Sequence, residues 1–223
     1  MKITIAIPTY CRPDSVARLL RSLSEQVRMP DEVLVVDSSP DTKTAAVVES
    51  FSAASGFTVR YMQHEKGLTR QRNRAIRESS GDVVVFFDDD LVLEPDFLKE
   101  IERAFQEHGD VAGIGGFIVN EWGKRIDRFW KVRRLLGLLP GSYREGRVLP
   151  YGVALPLSTL QTFSGIKAVD WLPGCAFALR REVFLRHQFS TFFEGYGLAE
   201  DKQVGPFGFE DTLASTVGYR AAF

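Results

Sequence analysis

Residues 83–90 read Val-Val-Val-Phe-Phe-Asp-Asp-Asp and join an entirely apolar run to three consecutive aspartates. Five β-branched and aromatic residues in a row are typical of a strand that is buried on both faces of a sheet. Parallel sheets contain such strands, and their ligands bind at the carboxyl ends of the strands. Residues 83–87 therefore predict a central parallel strand, and residues 88–90 predict a functional site at its end.

Short apolar strands and amphipathic helices alternate through the first half of the chain. Strands are predicted at residues 3–7, 32–36, 57–62, 83–87 and 111–119, and helices at 13–23, 45–51, 67–79 and 95–108. A further strand is predicted near 176–179 and a helix near 181–187. Because alternating strands and helices need right-handed crossovers, this order predicts an α/β fold. We expect a mostly parallel, twisted sheet with helices on both faces.

Composition limits the class of protein. The chain has 223 residues, of which 44% are hydrophobic and 26% charged, so it is neither disordered nor collagen-like. Its net charge of −1 gives no indication of a nucleic-acid partner, and none is expected. The apolar N-terminus stops at Pro8, which is too short for a signal peptide, and Cys11 and Cys175 are too few for a disulfide scaffold. We therefore expect a cytoplasmic protein.

The near-zero net charge conceals a basic segment at residues 124–147, which contains eight basic and two acidic residues. Large apolar residues lie between the cations, a mixture that is typical of a helix at a membrane surface. The alternative is an ordinary amphipathic helix that covers the sheet and keeps its arginines in water. The segment thus predicts either peripheral contact with the inner face of the cell membrane or packing on the sheet.

The three aspartates at 88–90 repel one another unless a cation compensates their charge. A divalent ion is the natural compensator, because Mg²⁺ and Mn²⁺ take carboxylate oxygens and Mg²⁺ is usually bound by one or two carboxylates plus substrate phosphates. Arg70 and Arg72 follow Gly67 and are candidates to bind a diphosphate, since guanidinium groups bind phosphate bidentately. A hydrated acidic turn is the alternative interpretation of the aspartates.

Five segments, in this order, resemble the motifs of family 2 inverting glycosyltransferases, whose GT-A fold is a Rossmann-like α/β fold. They are residues 5–12, 35–38, 67–73, 86–90 and 200–201. The resemblance implies one domain over residues 1–223. Within it, residues 1–119 would form the nucleotide-sugar half and residues 120–223 the acceptor half.

The resemblance also implies a reaction. A sugar would pass from a nucleotide-diphosphate sugar to an acceptor hydroxyl with inversion, in the synthesis of cell-surface polysaccharide or glycolipid. The implied partners are that donor and a glycan or lipid-linked acceptor, and the implied cofactor is Mn²⁺ or Mg²⁺.

Individual residues match the family's motifs. On the donor side the matches are Pro8, Thr9, Tyr10, Arg12, Asp37, Arg72 and the Asp-x-Asp residues Asp88 and Asp90. The resemblance implies that Asp88 faces the ribose and that Asp90 binds the metal. We count Asp88 as a second metal ligand and add Asp89 and Arg70 to the donor site. Residues 171–176 resemble the segment that lines the sugar and acceptor cleft.

Two acidic pairs match the family's catalytic base. Asp201 is favoured, because residues 196–201 resemble one branch of the family closely, and Asp211 is the alternative. An inverting transfer needs such a carboxylate to take the proton of the acceptor hydroxyl. The chain stops at Phe223, where the family continues, so a truncated or diverged C-terminus is expected.

Two other functions compete with a transferase. The altered C-terminus is compatible with a nucleotide-sugar-binding protein that has lost turnover. Sugar nucleotidyltransferases share the nucleotide-binding architecture but need a glycine-rich signature after the first strand. Residues 8–10 read Pro-Thr-Tyr and lack that signature.

Overall fold

The computed structural model describes residues 1–53, 56–118, 132, 135–137, 146–148, 165–191 and 212–221. In chain order the elements are β1 Ile3–Thr9, α1 Pro13–Ser24, β2 Glu32–Asp37, α2 Lys43–Ser52, β3 Thr58–Gln63, α3 Leu68–Glu78, β4 Val83–Phe87, β5 Leu91–Val92, α4 Phe97–Glu107, β6 Val111–Ile118, β7 Lys167–Val169, β8 Ala176–Arg180, α5 Val183–Arg186 and β9 Thr212–Ala221. The strands and helices predicted from the pattern are confirmed to within a few residues.

The strands in the described residues form one sheet in the order β3-β2-β1-β4-β8-β6-β9-β5, with β7 paired to β9. The first four of these strands are parallel, as predicted. Beyond them, β8 is antiparallel to both β4 and β6. Because β1 lies between β2 and β4, the strand order reverses there, and such a reversal opens a crevice at the carboxyl ends of the strands. Thr9 ends β1 and Asp88 follows β4, so both lie at this switch point.

Successive residues of the central strands enter cores on opposite faces of the sheet. On one face, Ile5 and Val85 pack with helices α1, α2 and α4. On the other face, Ala6 and Phe86 pack with α3, β8 and α5. The apolar face predicted for α1 is buried, and so is that of α4. An α/β sheet with helices on both faces is therefore confirmed.

A cluster of phenylalanines joins β4 to the chain around α5. The rings of Phe86 and Phe177 are stacked with centroids 5.0 Å apart. Phe184 and Phe189 meet the Phe86 ring edge-on at 5.8 and 5.6 Å. Aromatic pairs in these arrangements each contribute about 0.5–1.5 kcal/mol beyond the area they bury. The cluster therefore anchors residues 184–189 beneath the switch point.

Some features of the structure were not predicted from the hydrophobic pattern, and part of one predicted segment is not described. Strands β5, β7 and β9 were not predicted. β5 and β7 have only two or three residues, which are too few to show a periodicity. Most of the basic segment at 124–147 lies outside the described residues. In the part of the chain that the structure describes, no helix is long and apolar enough to cross a membrane.

Candidate active site

The switch point brings together four of the predicted site residues. The Thr9 hydroxyl donates to Asp89 Oδ2 over 2.7 Å. Arg12 Nη1 donates to Asp89 Oδ1 at 3.1 Å and to Asp90 Oδ2 at 3.2 Å. The loop that follows β1 is thus tied directly to the acidic turn that follows β4.

The two aspartates that accept from Arg12, Asp89 and Asp90, differ in burial and therefore have different roles. Asp89 is 6% exposed, and its burial raises the pKa of the carboxyl, although the bonds from Thr9 and Arg12 oppose that effect. The same ion pair raises the pKa of Arg12. The Asp90 side chain is 40% exposed. Asp89 therefore joins the two loops, whereas Asp90 presents its carboxylate to the solvent.

Asp88 is placed by its backbone. Its N–H donates to the carbonyl of Cys175 at 2.9 Å, which ties the acidic turn to the segment before β8. The Asp88 side chain is also 40% exposed, and its Oδ1 lies 3.6 Å from Arg72 Nη2. Asp88 and Asp90 are therefore two accessible carboxylates on either side of a buried one.

These two carboxylates fit a divalent metal. Mg²⁺ is usually bound by one or two carboxylates together with substrate phosphates and water, and it needs no all-protein cage. The described residues contain no group of three or more His, Cys, Asp or Glu side chains that could bind a metal by themselves. Asp90 and Asp88 would hold the ion, and its remaining ligands would come from the substrate.

Arg72 is buried beneath this edge. It is 2% exposed, and its guanidinium lies 5.4 Å from the centroids of both the Phe177 and Phe189 rings. Its Nη2 donates to the carbonyl of Gly174 at 3.0 Å, while Nε and Nη1 have no hydrogen-bond partner among the residues that the structure describes. Arg72 therefore lies behind Asp88, and its contact with a nucleotide stays a prediction.

Two neighbours of Arg72 also have structural roles that the sequence did not reveal. Gln71 Nε2 donates to the carbonyls of Thr9 at 2.8 Å and Val36 at 2.7 Å, which joins α3 to the ends of β1 and β2. The Asn73 amide donates to the carbonyl of Phe189 at 2.8 Å and accepts its N–H at 3.0 Å. Because the residues on this buried helix face are polar, hydrophobic periodicity does not predict their burial.

Asp37 is fully buried at the end of β2, with both oxygens bonded inside the protein. Oδ1 accepts from the Ser39 N–H at 2.9 Å and from the Ser39 hydroxyl at 2.5 Å. Oδ2 accepts from the Tyr61 hydroxyl at 3.0 Å. Burial, together with that bond, raises the pKa of Tyr61 to about 12. The place of Asp37 in the donor site, which the resemblance implies, stays a prediction.

The other predicted donor residues lie around the same edge. Pro8 is buried in β1, while Tyr10 is 43% exposed and its ring lies 4.0 Å from Lys66 Nζ. Arg70 Nη1 forms an ion pair with Glu65 at 2.8 Å. Arg70 also lines a separate pocket of about 330 Å³. The role of Arg70 in the donor site stays a prediction.

The segment predicted to line the cleft, residues 171–176, packs closely on β6. A Cβ added to Gly115 would lie 2.8 Å from Pro173 Cδ, so a side chain there would displace the segment. The carbonyls of Gly174 and Cys175 accept bonds from Arg72 and Asp88, as described above. Glycine at 115 therefore allows this segment to reach the acidic turn.

Both candidates for the catalytic base, and most of the basic segment, fall on residues beyond the described ones. Asp201 and Asp211, the candidates for the catalytic base, both lie outside the described residues. Within the basic segment, Arg147 is described, and its Nη1 forms an ion pair with Asp170 at 2.5 Å.

The chain resembles known proteins along most of its length. The family model described as Glycosyl transferase family 2 matches residues 4–185. The dolichol-phosphate mannosyltransferase of Pyrococcus furiosus is 28% identical over 184 residues, which cover 82% of this chain and 47% of that protein. The poly(ribitol-phosphate) beta-N-acetylglucosaminyltransferase TarS of Staphylococcus aureus is 29% identical over 111 residues, 48% of this chain and 19% of TarS.

Solved structures show the same fold. The crystal structure of TarS superposes with a TM-score of 0.67 at 19% identity, over 100% of this chain and 37% of that chain. The mannosyltransferase PcManGT from Pyrobaculum calidifontis, in complex with GDP-Man and Mn²⁺, has a TM-score of 0.67 at 20% identity, over 99% of this chain and 56% of that chain. The GT-A fold is therefore confirmed. The chain spans between a third and about half the length of the first curated relatives that it matches.

Proposed function

Since the chain belongs to glycosyl transferase family 2, we propose that it transfers a sugar from a nucleotide-diphosphate sugar to an acceptor hydroxyl with inversion. The observation that carries this proposal is the cluster at the switch point. There Thr9 and Arg12 bond Asp89, and the side chains of Asp88 and of Asp90, which also accepts from Arg12, stay 40% exposed at the carboxyl edge of the sheet. Parallel α/β sheets bind their ligands at this position.

Each side chain of the cluster has a part in donor binding. Asp90, with Asp88, would hold Mn²⁺ or Mg²⁺, and a divalent ion neutralises the charge that develops on a leaving diphosphate. Asp89 keeps the β1–α1 loop against the acidic turn through Thr9 and Arg12. The Arg12 side chain is 56% exposed, so its guanidinium borders the edge where the diphosphate would lie.

The transfer itself needs a base on the acceptor side. The acceptor oxygen attacks the anomeric carbon as the bond to the diphosphate oxygen breaks, and the hydroxyl proton passes to a carboxylate. We assign this carboxylate to Asp201, with Asp211 as the alternative, on the resemblance described above. Because the attack and the departure occur on opposite faces, no covalent intermediate on the protein is needed.

We also propose a phosphate-bearing acceptor, either a lipid or a polymer. The names of two relatives, a dolichol-phosphate mannosyltransferase and a poly(ribitol-phosphate) transferase, support this class. Within the basic segment, Leu135 and Leu136 are 86% and 66% exposed, as expected of a surface that contacts lipid. Sedimentation with anionic phospholipid vesicles tests the lipid alternative. Vesicle binding that Leu135→Ser/Leu136→Ser leaves unchanged would argue against contact through this segment.

Turnover tests the proposed reaction. UDP-, GDP- and dTDP-sugars are incubated with Mn²⁺ and phosphate-bearing acceptors, nucleoside diphosphate release is measured, and the anomeric configuration of the product is read by NMR. Loss of the base is expected to lower kcat by about 10²–10⁴-fold with little change in nucleotide affinity. We expect this of either Asp201→Asn or Asp211→Asn, and the unaffected variant is the control. Donor binding without turnover in any combination would instead favour a binding protein.

A further inference from the structure

The β1–α1 loop contains a backbone conformation that its sequence disfavours. Cys11 has φ of 55°, and every other residue of positive φ in the described part of the chain is a glycine. A residue with a Cβ is strained in the left-handed region and stays there where its surroundings determine its conformation. Some contact must therefore keep Cys11 in place.

The Ser39 hydroxyl is that contact. Its oxygen accepts the Cys11 N–H at 2.7 Å, and Ser39 is 1% exposed. The Cys11 N–H can only donate, so the Ser39 proton must point elsewhere, and Asp37 Oδ1 lies 2.5 Å away to accept it. The Tyr61 hydroxyl and the Ser39 N–H bond the same carboxylate and fix its orientation. The hydrogen bonds therefore run in one direction, from the Cys11 N–H to the Ser39 hydroxyl and from that hydroxyl to the Asp37 carboxylate.

The conformation of Cys11 determines where the next side chain goes. Arg12 follows it directly and donates to both Asp89 and Asp90. We propose that Ser39 is a positioning residue for the donor site, which acts by keeping Cys11 left-handed so that Arg12 reaches the acidic turn. Ser39 itself has no described contact with those aspartates. This inference rests on the proposed function, because a positioning role in the donor site requires that the nucleotide binds at this edge.

Cysteine labelling tests the loop without any nucleotide. Cys11 is an exposed free thiol, and peptide mass spectrometry distinguishes its reaction with a maleimide from that of Cys175. Ser39→Ala is expected to change the Cys11 labelling rate at least about threefold, since the loop relaxes when its bond is lost. Ser22→Ala removes another buried hydroxyl, one that bonds within α1, and is expected to leave the rate unchanged.

Nucleotide affinity tests the consequence for the site. With Mn²⁺ present, Ser39→Ala is expected to weaken binding of the nucleoside diphosphate about tenfold, which is the value of one hydrogen bond of about 1.4 kcal/mol. Glycine adopts the left-handed region freely, so in a Cys11→Gly background the same change should cost less than about threefold. An equal loss in both backgrounds, or no loss in either, would overturn the inference.

The two experiments separate the inference from the proposed function. If the wild-type chain binds no nucleotide, the proposed function fails, and labelling alone decides the role of Ser39. If the wild-type chain binds nucleotide but Ser39→Ala changes neither labelling nor affinity, the inference fails and the proposed function stands.

Discussion

Replacing Asn73 by alanine is expected to lower the free energy of unfolding by about 1.5–5.5 kcal/mol. The Asn73 amide makes two hydrogen bonds with the backbone of Phe189, at 2.8 and 3.0 Å, and both residues are at least 95% buried. Each backbone group left unpaired costs about 1–3 kcal/mol, and the better helix propensity of alanine returns about 0.5 kcal/mol. Equilibrium unfolding in urea, followed by circular dichroism, measures the difference.

Two further variants sharpen this measurement. Arg77 is exposed on the same helix, so Arg77→Ala should stay within about 0.5 kcal/mol of the wild type. Asn73→Asp keeps an acceptor for the Phe189 N–H but places a carboxylate oxygen against the Phe189 carbonyl, so it should be no more stable than Asn73→Ala at neutral pH. If Asn73→Ala costs under about 0.5 kcal/mol, the reasoning from buried unpaired groups is refuted.

Two predictions concern other parts of the fold. Gly115→Ala should cost about 1–3 kcal/mol, because its Cβ would lie 2.8 Å from Pro173 Cδ, and an unchanged Tm would contradict this. Burial opposes ionisation of Glu32, but hydrogen bonds from Ser80, Thr4 and a neighbouring arginine outweigh it and lower the pKa. Glu32 therefore stabilises the fold above its ordinary pKa of 4.5, and this stability is lost as pH falls through the lower folded value. Glu32→Gln should narrow the stability difference between about pH 6 and about pH 3, and an equal difference in both proteins would contradict the assignment.

The sequence predicted those features that hydrophobic periodicity encodes. Residues 3–7 and 83–87 read as buried strands because β-branched and aromatic side chains are expected in parallel sheets, and the rule for strand ends then placed Thr9 and Asp88 at one edge. The antiparallel pairing of β8 with β4 did not follow, since a short apolar strand has no signal for its direction.

Buried polar groups were the part that periodicity could not reveal. In α3 the sequence predicts a diphosphate contact for Arg72 and does not predict burial for Gln71 or Asn73, yet all three residues are at least 95% buried. Their burial depends on backbone carbonyls from β1, residue 174 and residue 189, which are distant in sequence. Ser39 is similar, because its role appears only when Cys11 is seen at positive φ.

Calorimetric titration with UDP, GDP and dTDP, each with and without Mn²⁺, tests most directly whether the edge formed by residues 8–12 and 88–90 binds a donor nucleotide. We expect at least one nucleotide to bind. Mn²⁺ should lower its Kd about tenfold or more, which corresponds to about 1.4 kcal/mol of binding free energy. Asp90→Ala should lose that gain, whereas Asp110→Ala, an exposed aspartate just before β6, should keep it. No binding of any nucleotide, or binding that is indifferent to Mn²⁺ and to Asp90→Ala, would contradict the proposed donor site.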